Sequence, residues 1–136
     1  MYTRETTIGS INSFQNMIKL KSIMASCTRM LTGDISIAFN NNYKIYYTYF
    51  EYVSTGYNGI APNDSPSTNI SGNISVFADK YDFEILVFSG YSNIVGELKL
   101  LKNLKKLYQL YLRNTGCTGS KTDLWNNGAN VYYFSI

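Results

Sequence analysis

The chain contains no histidine. That removes the commonest general base, the usual partner of a nucleophilic serine or cysteine, and the commonest metal ligand. The remaining reactive groups are few. Cys27 and Cys117 are too far apart in sequence to form a thiolate metal site by spacing, and no imidazole can activate either. Asp79 and Asp82 flank Tyr81, and Asp34, Asn73 and Glu97 each follow a glycine. Such a row of oxygens suits a hard cation. The simpler reading is that each bonds the backbone of its own turn. No Gly-rich phosphate loop of the Walker kind is present. The chain is therefore read as non-catalytic, with no metal and no cofactor.

The elements that carry these residues recur along the chain. Leu107, Leu110, Leu112, Thr115, Cys117 and Gly119 form the phrase LxxLxLxxTxCxG. Phe83, Leu86, Phe88, Tyr91, Ile94 and Gly96 repeat it with one extra residue before the glycine. Leu20, Ile23, Ala25 and Thr28 carry the same spacing near the start. Leu31-Thr-Gly33, Ile70-Ser-Gly72, Ile94-Val-Gly96 and Cys117-Thr-Gly119 share an apolar residue, a spacer and a glycine. Gly72, Gly96 and Gly119 recur every 23–24 residues. A period of that size marks a solenoid whose repeats bury their apolar faces only against one another.

Two repeats are variants. Phe39–Phe50 aligns without gaps to Trp125–Ile136, and both put an Asn-rich turn before a Tyr-rich strand. Asn and Gly accept the left-handed backbone such turns use. Between Gly33 and Gly72 the spacing exceeds one period. The excess is about residues 53–68, with Gly56, Gly59, Pro62 and Pro66, which reads as a loop, functional or filler. Leu98, Leu101, Leu104 and Leu107 also fit helical spacing, which leaves open a lone amphipathic helix beside unrelated strands.

These phrases resemble the leucine-rich repeat family, nearest to bacterial and phage-type members with 23–24-residue repeats. The resemblance covers about residues 9–136 and implies a leucine-rich-repeat-like repeat solenoid. Short parallel strands would line the concave face, and the convex segments would be irregular or helical. The whole chain, residues 1–136, is then one domain. Its repeats fall at about 9–32, 33–71 with the inserted loop, 72–95, 96–118 and 119–136.

Strand alternation places the residues between the core aliphatics outward, on the concave face. Three rows result. The first is Ser22, Tyr47, Ile85, Gln109 and Tyr133. The second is Met24, Tyr49, Val87, Tyr111 and Ser135, and the third is Ser26, Glu51, Ser89 and Arg113. Tyr and aliphatic residues at positions that should be wet mark an interaction surface. Tyr offers area at low entropy cost and a polar handle, which suits a protein or a glycan. The alternative is β-propensity alone, since Tyr and Val stack well across strands. The candidate binding residues are Tyr47, Tyr49, Ile85, Val87, Gln109, Tyr111, Arg113 and Tyr133.

The net charge of +3 is mild. Lys99, Lys102, Lys105 and Lys106 lie beside the Leu ladder and read as a solvated face, so nucleic acid is not an expected partner. No apolar run is long enough to span a membrane, and Met1–Ser10 lacks the pattern of a signal peptide. Cys27 and Cys117 fall about three strand spacings of ~4.8 Å apart, too far for a disulfide, so both are expected free. The Asn-x-Ser triplets at Asn63, Asn69 and Asn73 are read as chance matches without a signal peptide. The final phrase supplies Val131, Phe134 and Ile136 as inward residues with nothing after them. An uncovered strand edge invites pairing, so Tyr132–Ile136 is expected to contact another polypeptide, either the continuation of a longer chain or, by self-association, a second copy. The functional expectation is a binding or adhesion module of a bacterial surface protein or phage particle. The alternative is a structural assembly protein whose repeat edges stack with other chains.

Overall fold

The computed structural model describes residues 2–3, 9–26, 31–51 and 67–136. Eleven short strands occur among the described residues. In chain order they are β1 (Tyr2–Thr3), β2 (Gly9–Ser10), β3 (Ser22–Ser26), β4 (Leu31–Asp34), β5 (Tyr47–Glu51) and β6 (Ser67–Asn73). They continue as β7 (Ile85–Ser89), β8 (Tyr91–Glu97), β9 (Gln109–Tyr111), β10 (Gly116–Thr118) and β11 (Tyr133–Ser135). Odd-numbered strands form one sheet in the order β1-β3-β5-β7-β9-β11, and even-numbered strands form a second in the order β10-β8-β6-β4-β2. All pairings among these strands are parallel. The chain is thus a leucine-rich-repeat-like solenoid. Each coil contributes one strand to the concave sheet, one to the second sheet, and a short helical turn.

The second sheet goes beyond the expectation of one strand per repeat. Its strands are built from the apolar-x-Gly phrases. The register is staggered: Gly9, Gly33, Gly72 and Gly96 lie opposite Leu31, Ile70, Ile94 and Cys117 of the following strand. Gly33, Gly72, Gly96 and Gly119 all have φ between +119° and +133°. A side chain at Gly96 would also lie 2.6 Å from Ile74 Cγ1 and 2.8 Å from Asn73 Oδ1. Glycine is therefore required twice over, by backbone and by space.

The residue after each glycine starts the next turn. Asp34 Oδ1 accepts from the Ser36 N–H at 2.7 Å, and Asn73 Oδ1 accepts from the Ser75 N–H at 2.9 Å. These are N-caps that satisfy exposed donors of the helical turns. Caps also cross between coils: Asn12 Oδ1 accepts from the Asp34 N–H at 2.8 Å, and Ser36 Oγ from the Asn73 N–H at 3.1 Å. Glu97 differs, making no capping bond and pairing instead with Lys99 at 2.6 Å. Among the described residues no cluster of three metal-ligating side chains occurs.

The Leu ladder is not one helix. Leu98–Leu101 is a 3₁₀ turn, and the N–H groups of Leu104 and Leu107 bond the carbonyls of Leu101 and Leu104 at 3.0 and 3.2 Å. A spacing of three matches this succession of three-residue turns, so all four leucines are buried. Lys99, Lys102, Lys105 and Lys106 are exposed, as expected of a solvated face.

Between the sheets lies one apolar column per strand position. Ile23, Thr48, Leu86, Leu110 and Phe134 are in register, as are Ala25, Phe50 and Phe88. Phenylalanine fills the middle coils. Phe39 lies 5.5 Å from Phe77 and 6.3 Å from both Phe14 and Phe50, and Phe50 stacks on Phe88 at 4.8 Å. Aromatic pairs at these separations add to the area they bury.

Several expectations are corrected by the packing. Phe39 is fully buried, whereas its aligned counterpart Trp125 is 41% exposed. The reason is backbone: Asn126 and Asn127 take φ of +51° and +54°, turning the chain so that Leu124 enters the core. Asn40–Asn42 show no positive φ, so the two Asn-rich turns differ. Ile136 is 43% exposed and Phe134 only half-buried, so of the three residues read as inward only Val131 is fully so. Ser67 and Thr68 belong to β6, while the rest of the inserted loop, Cys27 and Asn63 lie outside the described residues. Cys117 is a free, half-buried thiol at 3.7 Å from the Ile94 carbonyl, and burial raises its pKa.

Candidate binding face

The concave sheet brings the proposed rows into register. Tyr47, Ile85, Gln109 and Tyr133 are paired neighbours in sequence of strands, beginning from Ser22. Met24, Tyr49, Val87, Tyr111 and Ser135 form the second row, extended by Tyr2 on β1. Glu51 pairs with Ser26 and Ser89, while exposed Arg113 follows β9. Its carbonyl accepts the Gly90 N–H at 2.8 Å.

The candidates are not equally accessible. Tyr133 is 55% exposed, and Tyr47, Tyr49, Ile85, Gln109 and Tyr111 are half-buried. Val87 is fully buried although it lies outside the main core cluster. It stands between Tyr49 and Tyr111 on the adjoining strands, and these bulkier neighbours cover it. Val87 is thus a floor for the tyrosines and not itself a contact point. The tyrosines are near enough to influence one another electrostatically, Tyr49 with both Tyr47 and Tyr111, and Tyr47 with Tyr108.

The Tyr49 hydroxyl donates to Glu51 Oε2 at 2.9 Å. Burial first, and this bond second, push the Tyr49 pKa up to about 12. Burial also raises that of Tyr47. Both remain protonated hydrogen-bond donors at neutral pH. The face therefore combines hydroxyl donors, flat aromatic area and one carboxylate within its strands.

A fourth row lies beyond the three that alternation predicts. Lys21, Tyr46, Glu84, Tyr108 and Tyr132 immediately precede the first row. The Tyr46 N–H bonds the Lys21 carbonyl at 2.9 Å, and the Glu84 N–H the Tyr46 carbonyl at 2.9 Å. Tyr108 N–H bonds the Glu84 carbonyl at 3.0 Å, extending the ladder by one step. In LxxLxL both residues between the first two core positions face away from the core, and strict alternation counts only the second of each pair. The doublets Tyr46-Tyr47 and Tyr132-Tyr133 are the signal that could have found the row.

On the turn side an open hollow of about 470 Å³ is lined by Tyr81, Asp82, Asn103, Lys105 and Lys106. Its charges are already engaged. Lys106 Nζ bonds Asp82 at 2.5 Å, and Lys105 lies 4.2 Å from the centre of the Trp125 ring. Lys80 is buried nearby, 3.6 Å from Asp79 and 4.5 Å from the Tyr43 ring centre.

No family model matches the chain, and no curated protein matches it. Among solved structures it is similar to the leucine-rich-repeat ectodomain of the receptor kinase SOBIR1 from Arabidopsis thaliana. The likeness has a TM-score of 0.71 at 19% identity and covers 98% of this chain. The chain spans 65% of that structure's length. The coiled parallel arrangement described above is thus that of a leucine-rich-repeat solenoid.

Proposed function

We propose that this chain is a non-catalytic recognition module that binds a protein through its Tyr-rich concave face. The observation that carries the reading is the in-register array of Tyr46, Tyr47, Tyr49, Tyr108, Tyr111, Tyr132 and Tyr133 on one side of the sheet. Solenoids present extended surfaces of this kind to partners, and Tyr is enriched at interfaces. A glycan is the second ligand class such rings suit. In the same reading the module serves adhesion on a bacterial surface protein or a phage particle. Non-catalysis is supported by the lack of histidine in the sequence.

The test is retention of wild-type chain on host-cell extracts and a glycan array, against Tyr47→Ala and Tyr111→Ala. Weakened binding with nearly unchanged melting is expected, while Lys102→Ala on the turn side should leave binding intact. Lower melting with intact binding would mean that the tyrosines serve the sheet alone.

Stacking between chains is the second reading, favoured by the exposure of Tyr132 (77%) and Ile136 (43%) beside β11. Phe134 packs partly on the core, so Phe134→Lys would also perturb folding. Tyr132→Lys is the cleaner probe, and conversion of an oligomer to a monomer in sedimentation would support this reading.

A further inference from the structure

The turn side of the solenoid repeats one hydrogen-bonded pattern. The N–H groups of Leu20, Ile45, Phe83 and Leu107 bond the carbonyls of Met17, Asn42, Lys80 and Leu104 at 2.8 to 3.3 Å. Each bond closes a turn around two residues, which project outward. The first of each pair makes the row Ile18, Tyr43, Tyr81 and Lys105, and the second makes the row Lys19, Lys44, Asp82 and Lys106. All eight are exposed. Contacts between coils hold the rows in register. The Asn42 side-chain amide donates to the Met17 carbonyl at 2.7 Å, the Lys80 ammonium lies 4.5 Å from the Tyr43 ring centre, and Lys106 bonds Asp82.

The first row is an apolar ridge. Ile18, Tyr43 and Tyr81 are 60%, 57% and 61% exposed, and Met17 stands beside Ile18. The second row is basic, with three lysines to one aspartate, and Lys105 ends the ridge with the same sign. Asp82 is taken up by Lys106 and also feels Lys44. Among the described residues Lys19, Lys44 and Lys105 are in no ion pair within 4.0 Å. The neighbouring rows do not offset this excess. Lys80 faces Asp79 at 3.6 Å, Lys102 adds a further positive charge, and on the concave margin Lys21 balances Glu84.

We propose that this ridge seats the chain on an anionic lipid surface, with Lys19, Lys44 and Lys105 at the headgroups and Ile18, Tyr43 and Tyr81 entering the interface. Exposed apolar side chains edged by lysines bind such surfaces by area and charge together. Tyrosine suits the boundary between headgroup and acyl chain. The bases are all lysine, a hydrated point charge without the fork that grips one carboxylate or phosphate in two bonds, so a diffuse anionic surface suits them better than a single acidic side chain. Single-stranded nucleic acid would need open ring faces for stacking, and Lys80 already covers one face of Tyr43. The whole chain carries +3, so its long-range attraction acts in the same direction as the ridge. The ridge contains none of the concave residues, so this proposal stands apart from the protein-binding reading.

The experiment is co-sedimentation of the full chain with vesicles of phosphatidylglycerol mixed equally with phosphatidylcholine, and with vesicles of phosphatidylcholine alone. Retention on the anionic vesicles is expected, lost at high salt and absent without phosphatidylglycerol. Lys44→Gln should weaken it about fivefold, and the Lys19→Gln, Lys44→Gln double variant further. Ile18→Ser and Tyr81→Ser should weaken it with unchanged melting by circular dichroism, since both side chains lie largely in water. Lys99→Gln removes the same charge outside the two rows and should change retention little. Equal retention on both vesicles, none on the anionic ones, or equal losses in Lys44→Gln and Lys99→Gln would each overturn the proposal. Oligothymidylate or hexaglutamate bound through Lys44 without retention on vesicles would also overturn it, giving the ridge to nucleic acid or to an acidic protein.

Discussion

Thr48 occupies a column otherwise made of Ile23, Leu86, Leu110 and Phe134, and it is fully buried. Its hydroxyl has no hydrogen-bond partner among the described residues. A buried polar group left unsatisfied costs about 1–3 kcal/mol, and valine has nearly the same shape. Thr48→Val is therefore expected to stabilise the fold by a comparable amount, read as a higher urea midpoint at constant slope. A lower midpoint would show that the hydroxyl is bonded after all. Lys80 and Tyr49 predict a pH dependence of opposite signs. Burial lowers the Lys80 pKa below 10.5, with Asp79 opposing. Between that lowered value and 10.5 the unfolded chain binds more protons, so stability rises with pH. Tyr49 is raised from 10.0 to about 12, so its contribution is complete below pH 10.0 and is lost as pH climbs toward 12. Denaturation curves across this range should show the rise flattened in Lys80→Met and the later fall flattened in Tyr49→Phe.

At the scale of elements, the glycine next to last in β4, β6 and β8 sets where the helical turn begins. Gly96 has φ of +133°, and a β-carbon added there would lie 2.6 Å from Ile74 Cγ1. Gly96→Ala is expected to cost about 1–3 kcal/mol from backbone strain, with the clash adding to it. Gly9 has φ of +153° and nothing within 4 Å, so Gly9→Ala should cost less. Equal losses at the two sites, measured by chemical denaturation, would mean that space is not the deciding factor. Leu110 tests the first sheet in the same way. It is fully buried and paired on both sides, with Leu86 and Phe134, and Leu110→Ala should cost about 2–5 kcal/mol. The repeat phrases make both sites legible from spacing alone. The pairing of the apolar-x-Gly phrases into a sheet of their own is not legible there, because the phrase that recurs is too short an alternation to separate strand from turn.

Across the whole molecule, each coil packs mainly on its neighbours, so protection should follow position along the stack. Phe39, Phe50, Phe77 and Phe88 join the middle coils through mutual ring contacts. Hydrogen exchange is expected to be slowest at Leu86–Phe88 and faster at Tyr133–Ser135. Uniform protection would indicate a single cooperative unit with no fraying.

The sequence by itself determined the repeat, the parallel strands and, though not the row of Tyr46, Tyr108 and Tyr132, the register of the first two Tyr rows, because these depend on spacing and alternation, which are local properties of the chain. Ile85, Gln109 and Tyr111 could be placed on one face by counting alone. Tertiary structure decided what neighbouring coils do to each residue. Val87 is outward by alternation yet covered, because Tyr49 and Tyr111 stand on either side of it. Trp125 is apolar and aligned with Phe39 yet exposed, because two left-handed asparagines redirect the backbone. Lys80 is charged yet buried, over Tyr43 of the preceding coil. Exposure and electrostatics depend on side chains one coil away, some two dozen residues distant in sequence, and only the packed solenoid brings them together.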